Sequence, residues 1–514
     1  MKKKLMKRLT ALTLALAMAL TLAACGDTGT GGGSASSGGS TSGGDASTSQ
    51  GGGTAAELLG MDSRPDEPAE IPEGLDIDWN HQYRYEEIED YLQAMAAAFP
   101  DTTELYSIGR THQERDLWCL EITDKSIPNE NKTGIGVLAN IHGGERESGA
   151  SGLYTAWWFA LNSTSDAYVQ SVLDNYVIYV VPIINPDGYE QSFVINTRQN
   201  LRPRDLNGDG TPFSDPYTDI DGDGYIATLY RGTADSEPST QLPRFGMESP
   251  DWDGNGILGD DPRNSGIDMN RTFNHQWNRY DIETDQEGSQ VIGNNSFSSA
   301  GPGPATEPEI QALQQFMYNT PMHALATLHT GIQCVLYPWC YRPYDANNPD
   351  DADIPFMKET AAAMAQVYQD YTGRGFYTKS SYEDYPTSAE LIDYAYDRLG
   401  IHAYTIEVYD PGKSEDGDIS ACKWENTMPE PTWVFYSQEQ LADMGLDPAT
   451  ITDEDGQALG ANEGLWFYTS ETAQMADKAP EDQDIMVKGC RDAILTMIHS
   501  EPNGDGPQVP VYYK

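Results

Sequence analysis

Two short apolar runs, Thr133 to Ile141 and Tyr176 to Ile184, flank a helical stretch from Ser148 to Leu161, and this order constrains the fold more than any other feature. Neither run alternates with polar residues, which is the pattern of strands covered on both faces. Strands of that kind pair in parallel through a crossover helix. The chain is therefore expected to form an α/β domain, a mixed and mostly parallel sheet flanked by helices, with ligands at the carboxyl ends of its strands. Upstream, Tyr85 to Phe99 carries Ile88, Tyr91, Leu92, Met95 and Ala96 at helical spacing and stops at Pro100.

The N-terminal segment has a different logic. Met1 to Arg8 holds five basic residues, and Leu9 to Ala24 is apolar apart from threonine, too short to span a bilayer comfortably. It reads as an export signal. Leu22-Ala23-Ala24-Cys25 resembles the bacterial lipobox, in which cleavage leaves the cysteine to be lipidated. Residues 1–24 are then a lipoprotein signal peptide, and 25–75 a lipidated start with a tether rich in Gly, Ser and Thr as far as Thr54. This implies an exported chain, held on the outer side of a bacterial membrane by Cys25 alone. A folded domain is expected over 76–500, with 501–514 as a tail, and the chain is expected to be a monomer.

Loss of the five leader charges takes the formal net charge from −49 to −54, which excludes nucleic acid as a partner on electrostatic grounds. Part of the acidity is concentrated in an insert, 204–265. There Asp205, Asn207 and Asp209, then Asp219, Asp221 and Asp223, then Asp251, Asp253 and Asn255 alternate with glycine turns. Hard oxygen donors around one point are what calcium requires, although the twelfth-position glutamate of a full EF-hand is replaced by Tyr230 in the second run and Pro262 in the third. A solvated acidic loop explains the same composition. Five cysteines remain after Cys25, an odd number in no metal-binding spacing; Cys334 and Cys340 are near enough in sequence to pair.

His142-Gly143-Gly144-Glu145 stands directly after the first buried strand, where a histidine is costly to bury unless something satisfies it. A hydrolytic zinc site needs about three nitrogen or oxygen ligands and an open position. His142 and Glu145 supply two, on a turn whose glycines allow close backbone approach.

From this point the chain resembles the zinc carboxypeptidase family, the relatives of carboxypeptidases A and B. Ser107-Ile108-Gly109-Arg110 and Arg115-Asp116-Leu117-Trp118 are similar to its opening strands. Asn185-Pro186-Asp187-Gly188-Tyr189, Gly266-Ile267-Asp268-Met269-Asn270-Arg271, Leu328-His329-Thr330-Gly331 and Tyr404-Thr405-Ile406-Glu407-Val408 resemble its later motifs in the family's own order.

The resemblance implies zinc, one ion per chain, on His142, Glu145 and His329. It places Asp268 behind the first histidine, Glu407 as general base, Asn270 and Arg271 on the substrate's terminal carboxylate, Tyr385 as the tyrosine that closes over the substrate, and Ile392 on the floor of the specificity pocket. An apolar floor implies an apolar or aromatic terminal residue. The arginine that polarises the scissile carbonyl falls best on Arg198, with Arg202 and Arg204 as candidates. The family's common His-Ala-Arg-Glu is His142-Gly143-Gly144-Glu145 here, so an arginine that contacts substrate further upstream is absent.

Singly, each residue has a plainer meaning: His329 as a hydrogen-bonded core histidine, Glu407 as half of an ion pair, Asn270-Arg271 as a turn cap. Their joint occurrence favours a metallopeptidase that removes the C-terminal residue of a peptide. Cell-wall peptides are the alternative substrate within the same chemistry. A peptide-binding lipoprotein without catalysis is the alternative outside it.

Overall fold

The computed structural model describes residues 61–195, 197–259, 266–277, 300–409, 430–470, 473–475, 479–480 and 482–501. The leader, Cys25 and the Gly/Ser-rich tether lie outside them, as do Cys422 and the tail beyond Glu501.

In chain order the elements are α1 (Tyr85–Ala98), β1 (Thr103–Arg110), β2 (Asp116–Ile122), β3 (Thr133–Ala139), α2 (Arg146–Asn162), α3 (Ala167–Asn175), β4 (Tyr176–Val181), α4 (Pro186–Gln191), β5 (Thr228–Gly232) and β6 (Arg244–Met247). There follow α5 (Pro308–Asn319), β7 (Ala324–His329), β8 (Gln333–Tyr337), α6 (Ile354–Thr372), β9 (Tyr377–Ser380), α7 (Ser381–Asp384), α8 (Leu391–Leu399), β10 (His402–Val408), β11 (Thr432–Tyr436), α9 (Gln438–Asp443), β12 (Gly464–Thr469) and α10 (Gln483–Ser500).

Eight strands form the main sheet in the order β1-β2-β4-β3-β7-β10-β8-β9. The central pairs β4/β3, β3/β7 and β7/β10 are parallel, and antiparallel pairs join β1, β2 and β4 at one side and β10 to β8 at the other. The sheet is thus mixed and mostly parallel, as the buried runs predict. All residues of β3, β4 and β7 are buried, and their alternation feeds two apolar layers. Ile135, Val137, Ile178 and Val180 face a layer with Trp157 and Trp158 of α2, Met364 of α6 and Ile494 of α10. Leu138, Val177, Tyr179 and Val181 face the other layer, with Leu313 and Phe316 of α5 and Leu391 of α8. Helices on both faces leave only the strand ends open, which is where loops can carry chemistry.

The packed chain begins by Met61, earlier than the Asp76 that composition suggests. Met61 and Leu75 are fully buried, the indole Nε1 of Trp157 donates to the Leu75 carbonyl at 2.8 Å, and Arg64 pairs with buried Asp492 of α10. Residues 61–75 are an irregular strap with proline and charge but no periodicity, buried only at Met61, Pro68 and Leu75, so this packing leaves no trace in the hydrophobic pattern.

The acidic insert is not loop alone. Its strands β5 and β6 join β11 and β12 from the far end of the chain in a separate sheet, ordered β11-β12-β5-β6. Leu229, Phe245, Leu441, Leu465 and Phe467 make its own small core. Residues 430–470 therefore complete a subdomain that the insert begins. Cys119, Cys334, Cys340 and Cys490 are free buried thiols, so Cys334 and Cys340 do not pair.

Candidate metal centre

The turn after β3 is fixed by its own backbone. Asn140 adopts φ +57°, and its side-chain amide donates to the carbonyls of His142 (3.1 Å) and Glu145 (2.9 Å), closing the turn that carries both. A Cβ at Gly143 would stand 2.3 Å from the Gly188 carbonyl carbon, so the turn and the start of α4 touch backbone to backbone, as only glycine allows. The Asn185 amide donates to the carbonyls of Ile141 and Gln199, both at 3.1 Å, and Gly144 N donates to the Thr197 carbonyl at 2.6 Å. The segment carrying Arg198 is thereby stitched to the turn.

His329 ends β7, and its ring meets the turn. His142 Nδ1 lies 2.7 Å from Glu145 Oε1, His329 Nδ1 lies 3.0 Å from Glu145 Oε2, and the two Nδ1 atoms are 3.2 Å apart. Three donor atoms around tetrahedral zinc at ordinary bond lengths stand about 3.3 Å from one another, so this set is close to the spacing the ion demands. The outer nitrogens are engaged in a way that leaves the inner ones for a metal: His142 Nε2 faces Asp268 Oδ1 at 3.1 Å, and His329 Nε2 faces Thr327 Oγ1 at 3.3 Å. Burial opposes ionisation of Glu145, but the two imidazoles outweigh it and hold the carboxyl far below the usual range. The donor set of two imidazoles and a carboxylate fits zinc.

Glu407 comes from β10, whose register pairs it with His329 on β7 and with Cys334 on β8. Its Oε2 is buried and has no hydrogen-bond partner, an expensive state for a carboxylate unless a ligand meets it. Burial, opposed by His329 and reinforced by Glu145, pushes its carboxyl above the ordinary carboxylate range.

Arg198 reaches the same point. Its Nη2 lies 2.9 Å from His142 Nε2, and its Nε donates to Asp268 Oδ2 at 3.1 Å. Arg202 has its Nε 3.4 Å from Glu307 Oε2. Asp268 caps the short turn of Asn270 and Arg271 by accepting from Asn270 N at 3.1 Å. Asn270 Oδ1 in turn accepts from Leu391 N at 2.9 Å, which joins this turn to α8. Arg271 is buried; its Nη2 donates to the Tyr385 hydroxyl at 3.3 Å, while Nη1 lies 3.0 Å from Glu390 Oε1. Tyr385 is 38% exposed and Ile392 is buried within the apolar layer under α8.

Glu390 is a residue that sequence reasoning passed over, because a carboxylate before an apolar helix reads as a helix-start acid. His112 is another. Its Nε2 lies 3.1 Å from Glu307 Oε2, and with Glu309 it forms a second group whose donor atoms lie within 4.8 Å of one another. Asn200 donates to both glutamates, at 2.9 and 3.2 Å, so this cluster buttresses the Arg198 segment from behind. In the insert, Asp219, Asp221 and Asp223 also bring oxygens within 4.8 Å of one another. Asp205 and Asp251 fold their carboxylates back on their own loops, accepting from Gly210 N and Gly256 N at 2.8 Å each.

The sequence matches a family model and several known proteins. A family model described as zinc carboxypeptidase matches residues 88–430, more than half of the chain. Human mast cell carboxypeptidase A is 23% identical over 354 residues, an alignment covering 66% of this chain and 66% of that relative, just under two thirds of its length. Mouse carboxypeptidase A4 is 22% identical over 365 residues, covering 70% and 71%. A metallocarboxypeptidase A of Arthroderma otae is 31% identical over 143 residues, 26% of this chain and 34% of that one. Among solved structures, bovine thrombin-activatable fibrinolysis inhibitor in complex with tick carboxypeptidase inhibitor aligns with a TM-score of 0.44 at 20% identity, covering 65% of this chain and 88% of that one.

Proposed function

The chain belongs to the zinc carboxypeptidase family, and from that premise we propose that it is an extracytoplasmic carboxypeptidase, tethered through Cys25, that hydrolyses the C-terminal peptide bond of peptides. The observation that carries this reading is the meeting of His142, Glu145 and His329 beside a buried, unpartnered Glu407 oxygen.

Zinc, when bound by those three residues, supplies Lewis acidity toward a peptide carbonyl and toward water. The chain's own groups do the rest. Glu407 accepts a proton from the attacking water and returns it to the leaving amine. Arg198, fixed by Asp268, presents a guanidinium to the oxygen on which charge develops. Arg271 binds the terminal carboxylate; Asn270, whose Oδ1 is committed to Leu391 N, offers its amide donors. The Tyr385 hydroxyl sits on Arg271 Nη2 and gives way to that carboxylate. Ile392 at the base of the pocket supports an apolar or aromatic side chain on the residue removed. A calcium ion on Asp219, Asp221 and Asp223 would stabilise the insert beside the cleft, a role supported by their converging oxygens.

The test pairs a zinc determination with release of the terminal residue from a peptide and from the same peptide amidated at its C-terminus. The free acid should be cleaved and the amide spared. Equal rates on both would remove Arg271 from its role and the exopeptidase reading with it.

A further inference from the structure

We propose that His112, Glu307 and Glu309 form a second divalent-metal site, built from other residues than the first, which takes a transition ion of the zinc class and braces the segment carrying Arg198 from behind. The inference goes beyond the carboxypeptidase reading and does not depend on it.

The three side chains come from parts of the chain that only the fold brings together. His112 lies in the turn between β1 and β2, Glu307 is the residue before α5, and Glu309 lies in the first turn of that helix. Acids at a helix start are ordinary where they face water. These two do not, since Glu307 and Glu309 are both 0% exposed. One ligand atom from each of the three residues lies within 4.8 Å of the others, and His112 Nε2 stands 3.1 Å from Glu307 Oε2. That separation is close to the roughly 3.3 Å between neighbouring ligands on a tetrahedral zinc ion.

Hydrogen bonds alone leave the cluster incomplete. Glu307 is well met, its Oε1 accepting from the Thr306 hydroxyl at 3.0 Å and its Oε2 from the Asn200 amide at 2.9 Å. The same amide donates to Glu309 Oε2 at 3.2 Å. Glu309 Oε1 receives no donor although it is buried, a costly state for a carboxylate oxygen. The charges are also unequal. Arg202, with Nε 3.4 Å from Glu307 Oε2, offsets one carboxylate, while Arg115 in the turn of His112 is taken by Asp187 at 2.7 Å. With His112 neutral, as a ligand must be, one buried negative charge is left over, and a divalent ion meets both that charge and the orphaned oxygen. The ring nitrogen selects a transition ion, in contrast to the oxygen-only group of Asp219, Asp221 and Asp223. His112 is 19% exposed and gives the ion a way in from solvent. Asn200 carries the effect forward: it orients both carboxylates, and its Oδ1 and N–H bind Ile267 N at 2.9 Å and the Ile267 carbonyl at 3.1 Å, two positions from Arg198.

The experiment loads the whole protein with zinc, desalts it into buffer containing calcium, so that oxygen-only loops hold no zinc, and counts zinc per chain for the wild type, Glu309→Gln and His112→Gln. The wild type should retain about two ions and each variant about one, with unchanged far-UV circular dichroism. Equal zinc content in all three proteins overturns the inference. Zinc-edge anomalous diffraction from wild-type crystals needs no variant: a peak is expected within bonding distance of His112 Nε2 as well as at His142, Glu145 and His329. A peak at the first centre alone overturns the inference and leaves the carboxypeptidase reading intact, and so does a second ion that binds only at millimolar zinc and leaves on desalting. A peak at His112 alone does the reverse, upholding the inference and removing the carboxypeptidase reading.

Discussion

Glu407 stands directly across the parallel pair β7/β10 from His329, so the proposed metal ligand and the proposed general base are register partners on neighbouring strands. Six consecutive pairings, from His402 with Ala324 to Glu407 with His329, hold that register. The base therefore does not depend on the metal for its position. Glu407→Gln should keep zinc at full stoichiometry while kcat falls by roughly 10²–10⁴. Metal analysis together with steady-state kinetics on a cleaved peptide separates the two effects, and loss of zinc in this variant would show that Glu407 belongs to the ligand set.

Asp268 contacts three groups at once: His142 Nε2 and Asn270 N through Oδ1, and Arg198 Nε through Oδ2. It aligns His142, Arg198 and the turn that carries Asn270 and Arg271. Arg198 and His142 together outweigh burial and hold its carboxyl well below the usual range, so it is charged throughout the working pH. Asp268→Asn preserves Oδ1 as an acceptor but sets an amide against Arg198. Zinc affinity should fall by about 10–100-fold, measured by competition with a chromogenic chelator. A variant with unchanged affinity would reduce Asp268 to a turn cap.

The parts of this site visible in the sequence are those that leave a local pattern. His142 and Glu145 follow a buried run with glycines between them, and Glu407 ends an apolar strand. Other parts depend on residues brought together from a distance. Glu390 meets Arg271 only because Asn270 ties its turn to α8, a contact across 121 positions that no periodicity encodes. Asn140 looks like an ordinary polar residue until its φ of +57° is known. The second sheet is invisible for a similar reason: β5 and β12 are antiparallel partners far apart in the chain, and each is short and bordered by acidic loops. Cys25 and the export signal, by contrast, are read from composition alone and lie outside the described residues.

Removal of zinc should stop catalysis without unfolding the chain. The three proposed ligands are carried on β7 and on the turn after β3, and these strands are paired to each other and to β10 and β4 through their backbones. Chelation should abolish peptide hydrolysis, leave the far-UV circular dichroism unchanged and lower Tm, with activity and Tm restored by added zinc. A collapse of secondary structure on chelation would mean that the metal holds the fold, which the buried layers on both faces of the sheet argue against.

Asp393 provides a pH test that is independent of the metal ligands. It lies within α8 and is fully buried, with both oxygens accepting from Cys340 N at 3.0 and 3.1 Å. Around it stand His275 on one side and Glu390 on the other. Burial is the chief cause that raises its carboxyl to about 7, opposed by His275 and assisted by Glu390. The folded chain thus keeps a proton that the unfolded chain releases near the ordinary value of 3.8. Its contribution to stability is complete below that value, declines as pH rises through the interval up to about 7, and is flat above it. Asn in place of Asp mimics the protonated acid and retains an oxygen for Cys340 N. Relative to wild type, Asp393→Asn should therefore gain stability between pH 5 and pH 8, by on the order of a few kcal/mol. Denaturant titrations of both proteins, saturated with zinc at each pH, give the difference directly, since effects of pH on the metal site are common to the two and cancel. If the two proteins lose or gain stability in parallel across that range, Asp393 is ionised in the folded state and the burial argument for it fails.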